Sequence, residues 1–188
     1  LVACPKVDGL VNNLGIYSAS DFETTPDAEW LRFFETNVLS GVRLARHYLP
    51  QMKAQNWGRI VFVSSESALN APAEMVHYGM TKAAQLSVAR GLAQTTAGSG
   101  VTVNSVLPGP TRSEGVGTFF AELAAAQGVS LAEAEQAFFA HARPTSLLKR
   151  FIEPAEVAAL VAYVCSPRSA ATNGAALRVD GGIVNSMA

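Results

Sequence analysis

Short apolar runs alternate along this chain with longer stretches in which apolar residues return every three or four positions. Val7 to Asn12 is the first run and predicts a short buried strand, closed by the polar turn Asn12-Asn13-Leu14-Gly15. Trp30, Phe33, Phe34, Val38, Val42, Ala45 and Leu49 then recur at helical spacing. Thr25 is placed to cap that helix, with Pro26 at its first position and Asp27 and Glu29 in its first turn. Pro50 removes a backbone donor and predicts a kink or an ending nearby. Arg59 to Ser64 is rich in β-branched residues and apolar on both faces, as suits a parallel sheet covered on both sides. A helix over about 76–97 follows, stopped by Gly98-Ser99-Gly100.

Val101 to Leu107 reads as a third strand that breaks at Pro108-Gly109-Pro110. Residues 112–150 form a long insertion of helical character, in which Ser130-Leu131-Ala132-Glu133 is a capping box for a helix reaching about Ala142. A last helix runs from Pro154 to Cys165, and Ala176 to Val179 is a final strand. Strands alternating with helices in this order predict one α/β domain over 1–188, a doubly wound parallel sheet of Rossmann-like form.

Composition narrows the function without choosing it. A chain of 188 residues, 49% hydrophobic and 15% charged, can bury a sizeable core and is not a disordered segment. Its net charge of −1 supplies no basic field for nucleic acid. No apolar run reaches the length of a membrane span and no leader pattern opens the chain, so a soluble cytoplasmic protein is expected. Cys4 and Cys165 lack metal-ligand spacing and are expected to be two buried thiols, with no metal site.

The chemistry is concentrated in Tyr78-Gly79-Met80-Thr81-Lys82, with Ser65 thirteen residues upstream of the tyrosine. Tyr and Lys four apart share one helix face. An ammonium beside a phenol stabilises the phenolate, so the tyrosine is expected to fall from about 10 toward neutrality and to exchange protons near pH 7. Alone, the pattern is as compatible with an ordinary helix face. Three strand ends give it context: Asn12-Asn13-Leu14-Gly15, Ser64-Ser65 and Pro108-Gly109-Pro110-Thr111. Ligands of a doubly wound sheet bind beyond the carboxyl ends of its strands.

With these residues in this order, the chain from Val7 to Val184 resembles the short-chain dehydrogenase/reductase family. The resemblance implies an NAD(P)-dependent oxidoreductase, with NAD or NADP as cofactor and a small alcohol or ketone as substrate. It implies that Asn12 and Gly15 belong to the turn that braces the central strand and borders the cofactor, Leu14 standing where the family has alanine. Asn37 then matches the asparagine whose backbone carbonyl holds a water of the proton relay, and Ser65 the serine that hydrogen-bonds the reacting oxygen. Tyr78 matches the general acid/base, and Lys82 its activator and ribose ligand. Pro108, Gly109 and Thr111 match the segment over the nicotinamide and its phosphates. The family also implies self-association, as a homotetramer or homodimer, through helices at about 26–56 and 76–97.

The family's glycine-rich turn and its acidic or basic selector have no counterpart here. Gly98-x-Gly100 and Gly115-x-Gly117 lack the third glycine and do not follow a strand. The resemblance begins at the family's fourth strand, so roughly three strand–helix units are expected to be missing. Two readings stay open: an oxidoreductase whose N-terminal region is absent from this chain, or a truncated, catalytically silent scaffold. Glu66 and His77 adjoin Ser65 and Tyr78, but neighbours on a strand or helix point elsewhere. His141 is expected on the exposed side of the insertion. Phe119, Phe120, Phe138 and Phe139 suit either an apolar lid over the substrate or packing against the sheet.

Overall fold

The computed structural model describes residues 4–187, the side chain of Phe119 excepted. Four parallel strands lie in the order β1-β2-β3-β4: β1 Gly9–Asn12, β2 Gly58–Val63, β3 Val101–Pro108 and β4 Ala176–Val179. Leu10 is level with Ile60, Ile60 with Val103, and Val106 with Leu177. This register brings Asn12, Val63 and Pro108 toward one end of the sheet, where the strands give way to loops. The order agrees with the apolar pattern of the strands, and β2 and β3 are buried on both faces.

One face of the sheet is covered by α2 (Ser40–Ala54) and α3 (Val76–Thr95). Their Tyr48, Leu49, Met52, Ala89 and Ala93 pack on Leu10, Ile60, Phe62, Val101 and Val103. The other face carries α6 (Pro154–Cys165), whose Val164 packs on Val61 and Val106. The insertion folds as α4 (Glu114–Gln127) and α5 (Leu131–His141). Its phenylalanines make a cluster of their own: Phe120, Phe138 and Phe139 surround Phe151 with ring centroids 4.9–5.4 Å away. Phe120, Phe138 and Phe139 pack within the insertion and on Phe151 rather than against the sheet, while the Phe119 side chain lies outside the described residues. The capping box at Ser130 and Glu133 forms as the spacing predicts, and His141 is exposed.

Three local expectations are corrected. Thr25 does not cap a helix; its hydroxyl bonds Ser20 Oγ and the Asp21 carbonyl, both at 2.7 Å, and Pro26 is the N-cap of α1 (Asp27–Phe34). Helical structure continues through Pro50 to Ala54, and the departure from α geometry falls earlier, in a π-turn at Glu35–Leu39 between α1 and α2. Cys4 is exposed and Cys165 half-buried, because the first described residues lie outside the sheet. The last helix runs from Pro154 to Cys165 as expected, opened by a capping box from Glu153 and Glu156.

Glycine matters where the chain approaches itself. A Cβ on Gly109 would lie 2.5 Å from the Asp180 carbonyl oxygen, so the ends of β3 and β4 meet only because that side chain is missing. A Cβ on Gly79 would come within 2.6 Å of the Ala71 Cβ and 3.2 Å of the Ser67 carbonyl oxygen. The start of α3 is thereby seated directly on the loop after β2, one residue from Tyr78. No helix among the described residues is long and apolar enough to cross a membrane.

Candidate active site

The loop after β2 turns at once into a 3₁₀ turn, Glu66–Ala68, with Ser65 as its N-cap. The Ser67 N–H donates to Ser65 Oγ at 3.1 Å and to Glu66 Oε2 at 2.7 Å, and the Ser65 hydroxyl donates to the same Glu66 oxygen. Ser65 also faces the Tyr78 phenol. Burial pushes that phenol up to about 12; Ser65 offsets part of the rise, and Glu66 and Tyr17 add to it. The expected fall toward neutrality is therefore corrected: desolvation of the phenolate outweighs a lysine whose Nζ stands 5.5 Å from the ring centroid.

Lys82 is 5% exposed, and burial alone lowers it to about 8. Its ammonium carries three donors but bonds one acceptor, the Val63 carbonyl at 3.1 Å. Ser64 Oγ donates to the Lys82 carbonyl at 2.9 Å, tying the end of β2 to this turn of α3. A Cβ on Gly15 would stand 3.6 Å from Lys82 Nζ and 3.5 Å from Asn37 Oδ1, so Gly15 lies against both groups.

Asn37 sits in the π-turn and its side chain is fully used. Oδ1 accepts from the Ile16 N–H at 2.8 Å, while Nδ2 donates to the Ile16 carbonyl and to Thr81 Oγ1, both at 3.0 Å. Three segments of the site are fastened by this one amide. A π-turn displaces backbone carbonyls from the α pattern and is frequent at functional sites. Two such carbonyls are met by side chains: Ser40 Oγ donates to Thr36 at 2.5 Å and Gln85 Nε2 to Asn37 at 2.6 Å. The Asn37 carbonyl, expected to hold a relay water, thus already accepts from Gln85, and Gln85 Oε1 is buried without a partner.

Pro108 ends β3, and Gly109 and Thr111 follow it. The Gly109 N–H bonds Val179 O at 3.1 Å, and Thr111 pairs with Ile152 at the base of the insertion. Asn12 is buried with neither side-chain polar atom partnered, beside a small cavity that Asn37 and Ser40 also line. A cavity of about 430 Å³ lies within the insertion against Glu135 and Phe139 and contains none of the predicted site residues. Among the described residues no cluster of His, Cys, Asp and Glu could hold a metal.

A family model described as Enoyl-(Acyl carrier protein) reductase matches residues 2–184. The chain belongs to the short-chain dehydrogenase/reductase family. Among curated relatives, the uncharacterized oxidoreductase YvaG of Bacillus subtilis is 49% identical over 185 residues, covering 98% of this chain and 70% of that protein. The D-beta-hydroxybutyrate dehydrogenase of Cupriavidus necator is 30% identical over 177 residues, 94% of this chain and 67% of its own. Among solved structures, L-sorbose reductase from Gluconobacter frateurii, complexed with NADPH and L-sorbose, superposes with a TM-score of 0.90 at 29% identity. That match covers 97% of this chain and 68% of the reductase.

Within this short-chain dehydrogenase/reductase, three site residues escaped the sequence reading or were held remote from the chemistry. Gln85 lies one turn beyond Lys82 and reads as an ordinary helix residue until the π-turn presents a carbonyl to it. Glu66 contacts Ser65 directly, because the 3₁₀ turn folds it back rather than alternating it away. Arg143 enters from the far end of α5, with Nε 3.7 Å from Glu66 Oε1 and Nη1 3.6 Å from Glu74 Oε1. His77, by contrast, points into an aromatic pocket with its ring 4.3 Å from Phe33 and 6.0 Å from Trp30.

Proposed function

We propose that this oxidoreductase interconverts a secondary alcohol and a ketone with NAD(P), using Ser65, Tyr78, Lys82 and Asn37. The observation that carries the reading is the convergence of Ser65 and Lys82 on Tyr78, with two ammonium donors of Lys82 left for a ligand. Those donors fit ribose hydroxyls, and Asn12, Gly15, Tyr78, Pro108, Gly109 and Thr111 complete the proposed cofactor contacts. When bound, the nicotinamide supplies or takes the hydride. Tyr78 gives its proton to the substrate oxygen in reduction and recovers it in oxidation. Ser65 holds that oxygen, and Lys82 steadies the developing phenolate through its charge. Asn37 keeps the Ile16 loop and the Thr81 turn at fixed distance, and Gln85 holds its carbonyl. A silent scaffold has no need of a buried ammonium beside a buried phenol.

Because a relative is an L-sorbose reductase with NADPH and another a D-beta-hydroxybutyrate dehydrogenase, the test pairs each cofactor with both substrates and with a simple aliphatic ketone. The intact protein is expected to consume NADPH or NADH with at least one ketone. No change in nicotinamide absorbance with any pair would overturn the reading. Light scattering of the same sample tests the accompanying proposal of a homodimer or homotetramer; a monomer mass at micromolar concentration would contradict it.

A further inference from the structure

We propose that Glu66 is a positioning residue for Ser65, and that Arg143 of the insertion sets how firmly Glu66 holds it. The inference rests on the roles of Ser65 and Tyr78 proposed above. Glu66 is 5% exposed. Its Oε2 accepts from the Ser65 hydroxyl, from the Ser67 N–H at 2.7 Å and from Ser67 Oγ at 3.1 Å. Its Oε1 faces Arg143 Nε at 3.7 Å, beyond hydrogen-bond length. A buried carboxylate is costly unless its cation is in close contact. Here the cation stands back and the hydroxyl of Ser65 is held instead, so fold stability alone does not account for Glu66.

A serine hydroxyl has one proton and two lone pairs. The Ser65 proton is committed to Glu66, and one lone pair receives the Ser67 N–H. The lone pair that remains can accept from Tyr78 but cannot donate to a carbonyl oxygen. Ser65 can orient a ketone by donation only when Glu66 releases it. Arg143 is the group placed to cause that release. If its 3.7 Å gap closed to a direct ion pair, the carboxylate would be satisfied from its other side. Arg143 follows α5, with its guanidinium carbon 5.6 Å from the Phe138 ring centroid, so it moves with the insertion. Settling of the insertion over a substrate and release of the Ser65 proton would then be one event.

Charge makes the device measurable. Glu66 and Tyr17 face the Tyr78 phenol and disfavour its ionisation, Ser65 favours it only when its proton is free to be donated, and Lys82 stands one turn along the same helix. Glu66 itself is faced by Arg143, which Glu74 shares. Kinetics of ketone reduction and alcohol oxidation across pH should be compared for Glu66→Gln, Arg143→Gln, the double variant and Arg143→Lys in the intact enzyme. Glu66→Gln is expected to move the ionisation of Tyr78, which lies above the Lys82 limb near 8, to lower pH. Arg143→Gln should move it to higher pH and lower kcat about tenfold with a smaller change in KM. The double variant should match Glu66→Gln, because Arg143 acts through Glu66, and Arg143→Lys should restore most of kcat. Shifts of the same sign in both single variants, or a double variant equal to their sum, would overturn the proposal. If the wild type shows no nicotinamide-dependent turnover, the proposed function fails separately. Ring-carbon NMR of labelled Tyr78 then reads the same ionisation: opposite displacements in the single variants support the device, and equal or absent ones sink it.

Discussion

Replacing Tyr78 by Phe is expected to lower turnover by a factor on the order of 10² to 10⁴ while the fold and the cofactor affinity stay close to wild type. The change deletes one oxygen and keeps the ring that Lys82 approaches at 5.5 Å, so the packing of α3 on the loop after β2 is preserved. What disappears is the proton donor. At about 12, the phenol is protonated throughout the physiological range, as a donor to a ketone must be. On raising the pH, the first of the two groups to lose its proton is Lys82, at about 8, not Tyr78. A decline of the reductive rate above that pH would therefore report the lysine. Steady-state kcat/KM with a denaturant melt of the same samples checks the prediction. Retention of more than half the wild-type rate would remove Tyr78 from the mechanism.

The elements most legible in the sequence are those fixed by local periodicity. β4 and α6 fall where the apolar pattern places them, and β3 ends at Pro108, as the Pro108-Gly109-Pro110 break predicts. The order of Asn12, Ser65, Tyr78 and Lys82 along the chain was equally readable, since the first two sit at or just beyond strand ends and the last two share one face at the start of α3. The π-turn was not. Glu35 to Leu39 contains no glycine or proline to mark it, and its carbonyls are met by Ser40 nearby and by Gln85 forty-eight positions away. Glu66 escaped for a related reason. Alternation predicts that it points away from Ser65, and only the 3₁₀ turn after β2 reverses it. The Tyr78 environment was misjudged because spacing gives the charge of a neighbour but not the desolvation, and here desolvation is the larger effect.

Lys82→Met should separate what this residue does for chemistry from what it costs the fold. Loss of the ammonium removes two donors proposed for the ribose and the charge that steadies a Tyr78 phenolate, so cofactor affinity and kcat should both fall, the latter by a factor on the order of 10² or more. Stability should move the other way. The folded lysine is lowered by burial to about 8 from an unfolded value near 10.5. Below pH 8 the group is charged in both states and the full desolvation penalty is present. Between about 8 and 10.5 the unfolded chain binds the proton more readily, so wild-type stability contributed by this group rises with pH. Methionine has similar length and no charge to desolvate. The variant should therefore exceed wild type by about 2 kcal/mol near pH 7, after the lost bond to Val63 offsets part of the gain, and the advantage should vanish by pH 10.5. Denaturant midpoints of both proteins at several pH values isolate this group, because every other titration is common to the pair. A variant less stable than wild type at pH 7, with cofactor affinity unchanged, would make Lys82 a structural anchor of the Val63 carbonyl and not a residue of the active site.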